Sequence, residues 1–423
     1  MTMLKISFSQ LKNVKFLFIV MILLFAGCRK NDSKDPDPEV PVEVDFVQLS
    51  EARTEVVAVS SGNKILFAGG RKADGSYSTT VDIYDVATNN WSTAQLSEAR
   101  RRFLASSVGN KIVFAGGYLG NYIYSKTVDI YDVSTGAWTT AELSRARTPA
   151  AVAAAGNKIL FAGETGEQST GEGLTRIVDI YDASSNTWSV GELSQGRVLM
   201  AVAASGNKII FAGGISGLNQ TSDVVDIYDV VTNTWTTAQL SQARCSVAAQ
   251  AAGNKFVFAG GQTRKATGDP SRVIDIYDVQ NNSWSVAELS ENRSPASAVA
   301  GNTIVFAGGS TSGNANYTKS VDIFDANTGT WSVSQLSESR YDNASTAISH
   351  NKIFFAGGIP GDLRYTVKAI DIYDVVTRSW STADLKEARI LFGMAAAGDK
   401  VLVAGGSYRD GTPSDIVEIF TIK

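Results

Sequence analysis

All seven tryptophans of the chain, Trp91, Trp138, Trp188, Trp235, Trp284, Trp331 and Trp380, fall at one equivalent position, at intervals of 47 to 50 residues. Each ends a unit whose first copy reads GNKILFAGG, a polar loop, VDIYD and then the Trp. Self-similarity at such a period means stacked supersecondary units, none of which buries its hydrophobic face alone. A chain of 423 residues has room for two or three unrelated domains, but the repeat spreads one architecture over nearly all of it.

Within the first unit four strands are expected. Residues 56–60 are small, and their counterparts AVAAA (151–155) and AAQAA (248–252) are smaller still, which suits strands that converge on an axis. Gly62-Asn63 forms a tight hairpin turn, in which both central positions are expected at positive φ. Residues 64–68 form a continuous apolar run, as in a strand covered on both faces. Gly69-Gly70 then permits positive φ and a close backbone approach. VDIYD (81–85) alternates with period two, and the outermost strand begins at Trp91, expected to be buried and to anchor one unit on the next.

The double glycine, the VDIYD segment and the downstream Trp, recurring in order, resemble the kelch repeat over nearly all of the mature length. The resemblance implies an all-β propeller of four-stranded antiparallel blades. Double-glycine positions begin at Gly69, Gly116, Gly163, Gly213, Gly260, Gly308, Gly357 and Gly405, with Glu164 replacing the second glycine of the third, which gives eight blades. The eighth unit stops at Lys423 without a Trp strand. VDFVQLSEAR (44–53) aligns with WSTAQLSEAR (91–100), Val44 standing for the Trp, so the N-terminal strand is expected to complete the last blade and remove its free edge. Seven blades with a terminal extension is the alternative.

The domain limits expected are 1–27, 28–43 and 44–423. Lys5, Lys12 and Lys15 precede an apolar run at 16–26, which has the length of a secretory signal core and is too short to span a membrane. The run ends Leu-Phe-Ala-Gly-Cys, which resembles a bacterial lipobox with Cys28 as the lipidated residue, although Phe25 departs from the usual leucine. The alternative is an ordinary signal peptide with Cys28 incidental. Residues 28–43 read as a disordered tether carrying Pro36 and Pro38. The expected location is the outer membrane of a Gram-negative bacterium, the chain being monomeric and touching the membrane through the Cys28 lipid alone. With Cys245 the only other cysteine, no intramolecular disulfide is expected.

Function is less legible. Leaving out the three lysines of residues 1–27, the chain carries 35 basic and 42 acidic side chains, a net −7, against a general nucleic-acid binder. The resemblance places two residue sets on one face. The first is the repeated Arg53, Arg100, Arg147, Arg197, Arg244, Arg293, Arg340 and Arg389. A carboxylate, sulfate or acidic partner is one use for them. Equal numbers of acids in fixed register (Asp82, Asp129, Asp179, Asp226, Asp275, Asp322, Asp371 and Glu418) favour structural ion pairs instead.

The second set lies in the loops that vary over the repeated frame, where binding residues concentrate. It comprises Tyr118, Tyr122, Tyr124, Glu164, Arg176, Arg264, Lys265, Tyr317, Arg364, Tyr365 and Tyr408, with Tyr77, and the residues after the repeated arginines, Arg101, Arg102 and Tyr341. These suit a glycan or protein partner. The single histidine, His350, stands at a hairpin-turn position, so no metal or other cofactor is expected. The leading expectation is a binding module. A sugar mutarotase of the sialic acid type is the alternative, resting on precedent among secreted bacterial kelch proteins.

Overall fold

The structure, a computed structural model, describes residues 42–164, 174–217, 220–264, 269–312, 316–340, 345–358 and 367–423. Eight four-stranded antiparallel sheets succeed one another as blades, blade 6 carrying one extra short strand. In blade 1 the order from the axis outward is Val57–Ser61, Lys64–Ala68, Thr80–Asp85 and Asn90–Gln95. The inner strand starts one residue later than expected. Each inner strand neighbours that of the next blade, and Gly393–Ala397 of blade 8 returns to Val57–Ser61, closing the ring.

Blade 8 is completed from the other end of the sequence. Its outermost strand is Val42–Gln48, antiparallel to Ile416–Ile422 in a register that sets Val44 opposite Phe420 and Gln48 opposite Ile416. In blade 1 the same register sets Trp91 opposite Tyr84, so Val44 occupies the Trp position. The strand begins two residues before the boundary expected from the sequence.

The apolar residues that make these strands also place the core, which lies between blades. Leu66, Ala68, Val81 and Ile83 of blade 1 pack with Ile112, Phe114 and Tyr131 of blade 2. The second and third strands are buried on both faces because each blade is sandwiched, which explains their lack of a polar alternation. The tryptophans differ from expectation in being half-buried. Trp91 rests on Tyr84 at 5.0 Å and Phe67 at 6.4 Å between ring centroids and joins the core shared with blade 8. It seals the outer end of the interface, where one edge of the indole meets solvent.

The inner hairpin turn also departs from the sequence reading. Gly62 takes φ +55°, whereas Asn63 is not at positive φ. A turn with positive φ at the first central position alone has the II′ pattern, which still matches the strand twist. His350 occupies that first position in blade 7 at φ +52°.

At this hairpin end, lysine–aspartate pairs tie the second strand to the third. Lys255 lies 2.9 Å from Asp278 and Lys208 lies 2.8 Å from Asp229. The lysine hydrogen bond is the main cause holding both carboxyls at about 2, below the ordinary 3.8. A carboxyl depressed in the fold contributes stability above its unfolded pKa, and that contribution is lost as pH falls from near 4 through about 2. Lys255→Met should return Asp278 toward the ordinary range in an NMR titration of side-chain carboxyl carbons. An unmoved titration would show that the lysine is not the cause.

Candidate functional site

The end opposite the hairpins is the mouth, where the double glycines and the repeated arginines meet. Each arginine is buried and turned into its own blade. Arg53 pairs with Asp82 and donates to the carbonyls of Gly69 at 2.8 Å and Thr80 at 2.7 Å. Asp82 in turn accepts the Ser50 N–H at 2.9 Å. The pattern repeats as Arg100–Asp129 at 2.6 Å, Arg147–Asp179 at 2.7 Å and Arg293–Asp322 at 2.7 Å, and as Arg197–Asp226, Arg244–Asp275 and Arg340–Asp371.

In blade 8 the longer Glu418 reaches Arg389 at 2.7 Å and accepts the Lys386 N–H at 3.0 Å. Burial lowers the pKa of Arg53, Arg100, Arg197, Arg244, Arg293 and Arg340 against the opposing pull of their carboxylates, and burial raises that of Glu418. Guanidiniums engaged in this way present no face to a ligand.

The glycines interleave the blades. Gly70 has φ +103°, and a Cβ there would stand 2.5 Å from the Thr54 carbonyl oxygen. Its N–H donates to the Arg100 carbonyl of blade 2 at 3.3 Å, and Gly406 closes the ring in the same way onto Arg53 at 2.9 Å. Gly117, Gly214, Gly261 and Gly309 likewise donate to the arginine carbonyl of the next blade, so in these six blades the double glycine lies against the neighbouring arginine segment. Two residues beyond the arginine, Glu55, Arg102, Leu199, Ser246 and Leu391 all have positive φ without being glycine. Glu55 N–H bonds the Leu391 carbonyl at 3.0 Å, and Ser246 N–H bonds that of Leu199 at 3.1 Å, so the kinks support one another across blades.

Between blades 1 and 2 the mouth carries an aromatic cluster built on one arginine. Arg101 is held by both oxygens of Glu55, at 2.9 and 2.8 Å, and its guanidinium lies 5.3 Å from the Tyr77 ring and 5.2 Å from the Tyr118 ring. Burial opposes the Arg101 charge, but Glu55 outweighs it and raises the arginine pKa. Tyr118 lies 6.2 Å from Tyr77 and 5.5 Å from Tyr124. Tyr118–Gly120 and Ile123–Tyr124 form a small hairpin, with positive φ at both Asn121 and Tyr122, the I′ pattern. The Tyr122 N–H bonds the Tyr118 hydroxyl at 3.3 Å, and the tip projects Tyr122, 61% exposed, and Ile123, 57% exposed.

The structure thus brings together Arg101, Tyr118, Tyr122 and Tyr124 with Tyr77, and adds Glu55 and Ile123, which sequence reasoning missed. The charge of Arg101 beside an acid in the neighbouring unit was the available signal. Arg102 is exposed and lies 3.6 Å from Glu55. Tyr408 stays in its own loop, its hydroxyl 3.2 Å from that of Ser414, and Tyr317 sits in a two-residue strand paired to Ser310.

Arg176 lies at the mouth end but on its outer rim, beside Ile177, whose carbonyl accepts the Gly163 N–H at 3.1 Å. It bonds the Leu193 carbonyl at 2.7 Å and Glu192 at 3.1 Å on the outer strand, as Arg272 does with Glu288 at the equivalent place in blade 5. Lys265, Tyr341, Arg364 and Tyr365 lie outside the described residues, as do the side chain of Arg264 and the segment containing Cys28.

Blade 3 breaks the repeat in a coordinated way. Glu164 replaces the second glycine, and Arg145, 3.8 Å from it, stands where blades 1 and 2 have Glu51 and Glu98. In blade 4, Gly196 replaces the alanine found at 52, 99, 146, 243 and 388. A Cβ on Gly196 would lie 2.0 Å from the Leu174 carbonyl oxygen, so the chain returning from blade 3 needs that space. Gly196→Ala is expected to destabilise the protein by about 1–3 kcal/mol in urea unfolding, because backbone must yield to overpacking. An unchanged midpoint would refute the contact.

Among the described residues no group of three or more His, Cys, Asp or Glu side chains is placed to hold a metal ion. Cys245 is buried. Three segments, residues 52–95, 99–142 and 196–239, match the Kelch motif, corresponding to blades 1, 2 and 4. No curated protein matches the chain. Among solved structures the chain is similar to that of YjhT, at 15% identity and a TM-score of 0.47, over 68% of this chain and 99% of that one.

Proposed function

We propose that the protein is a lipid-anchored binding module of the cell envelope that engages a glycan or protein partner through the mouth between blades 1 and 2. The observation that supports this most is the Tyr77–Arg101–Tyr118–Tyr124 cluster beside an exposed Tyr-Ile hairpin tip. Aromatic rings held by a paired arginine offer contact area with little ordering entropy left to lose, and binding hot spots favour Tyr and Arg. The cluster occupies loops that vary, over strands that repeat, which is how a rigid scaffold acquires a specific partner.

The test is a glycan array and an envelope pull-down with the mature chain beside the double variant Tyr122→Ser/Ile123→Ser. Both side chains are exposed, so folding should survive and the captured partner should be lost. Capture undiminished in the variant would remove the site from this part of the mouth. Proton NMR of anomer exchange separates the mutarotase alternative: sialic acid and common hexoses are expected to exchange at the buffer rate. Cys28→Ser should move the protein from the membrane pellet to the soluble fraction, and its retention in the pellet would exclude the lipid anchor.

A further inference from the structure

The eight inner strands, from Val57–Ser61 to Gly393–Ala397, contain no Asp, Glu, Lys, Arg or His. The axial channel they surround is therefore walled by uncharged side chains alone. The wall is not uniform. Blades 3 and 4 contribute AVAAA and AVAAS, whereas blades 1, 2, 7 and 8 line an open pocket of about 350 Å³ with both hydroxyls and larger apolar groups. Ser60, Ser106 and Thr346 line it, and within the described residues their hydroxyls make no hydrogen bond. Ile348 and Met394 line it too, and Ile348 is 41% exposed although it belongs to an innermost strand.

We infer that this part of the channel is a binding site for a small uncharged polyol or sugar. The volume falls in the range of ligand cavities, roughly 300–1,000 Å³. Uncommitted hydroxyls on Ser60, Ser106 and Thr346 match hydroxyl-bearing ligands, and the exposed Ile348 side chain matches the C–H face of a sugar ring. A charged ligand finds no counter-ion on any inner strand, whereas a neutral one needs none. The site is separate from the mouth cluster and does not depend on it.

The test uses the mature protein with glucose and N-acetylglucosamine as neutral probes and glucuronate and N-acetylneuraminate as charged ones, read by saturation-transfer NMR and calorimetry. The neutral sugars should bind and the charged ones should not. Ser60→Ala/Thr346→Val, which leaves the shape nearly unchanged, should weaken binding about tenfold, as expected for two modest hydrogen bonds. Ser106→Leu should abolish it by filling the cavity. Thermal unfolding of each variant checks that the fold persists, and the isosteric pair keeps the test decisive if Ser106→Leu misfolds. Tyr122→Ser/Ile123→Ser should leave this binding intact. Absence of binding by either neutral sugar, equal binding of the charged probes, or loss only in the mouth variant would overturn the assignment.

Discussion

Deleting residues 44–49 should lower the stability of the propeller by about 4 kcal/mol or more and make it aggregate. The segment supplies most of the outermost strand of blade 8, including the pairings of Val44 with Phe420 and Gln48 with Ile416. Val44 packs on the core between blades 7 and 8, while Val47 and the buried Leu49 pack on the one between blades 8 and 1. Full burial of such a side chain contributes about 1.5–3 kcal/mol, so one buried leucine and two half-buried valines reach the stated magnitude before any hydrogen bond is counted. The deletion also bares the edge of Ile416–Ile422, a row of unpaired backbone groups that invites another chain. Urea unfolding and light scattering report the two effects, and a synthetic peptide spanning 40–52 should reverse both. Unchanged unfolding and scattering would show that the ring does not rely on this strand.

The second large effect is expected inside a blade. Arg244 is fully buried, pairs with Asp275 and also donates to the carbonyls of Gly260 at 2.6 Å and Val273 at 2.5 Å. Arg244→Ala leaves Asp275 charged in the interior with the Ser241 N–H for company, and should lose about 3–5 kcal/mol. Asp275→Ala strands the guanidinium in the same way. The double variant removes both charges but leaves the Gly260 carbonyl and the Ser241 N–H without the partners Arg244 and Asp275 gave them, while the Val273 carbonyl keeps the Gly260 N–H, so it recovers part of the loss and no more. A double-mutant cycle by urea unfolding should give a coupling energy of about 1–3 kcal/mol. Strictly additive losses would mean that the two groups do not stabilise each other.

The frame was legible because it repeats. Eight copies of one pattern make each copy a control on the others, and the missing Trp of the last unit pointed to Val44 as its substitute. Finer geometry was not carried by that pattern. Half-burial of Trp91 follows from its place at the rim of an interface, and the φ values at Gly62 and Asn63 follow from a choice between two turns that the same dipeptide satisfies. The positive φ at Leu199 and Leu391 could not be read because leucine does not signal it. It is imposed by the segment crossing from one blade to the next. At the mouth, the tyrosines were legible as a set but not as neighbours. Tyr77 and Tyr118 belong to different units, and only the blade-to-blade interleaving brings them onto Arg101. Arg176 differs for another reason: it stands just before the third strand of its blade and is tied to the end of the outer strand.

Closure through Val42–Gln48 also fixes the order of events in making the molecule. Val44 and Phe420 lie 376 positions apart, whereas every other blade pairs strands within one unit. At roughly 5–20 residues per second, the first strand to be synthesised waits about 20–75 s for its partner. Joining ends so distant adds little to the equilibrium penalty, which grows only with the logarithm of the separation. The delay is kinetic. Once Ile416–Ile422 has been made, every copy not yet closed carries both a loose strand and an open edge that fit each other between molecules as well as within one, so a high concentration of newly made chains favours strand-exchanged dimers over closed monomers.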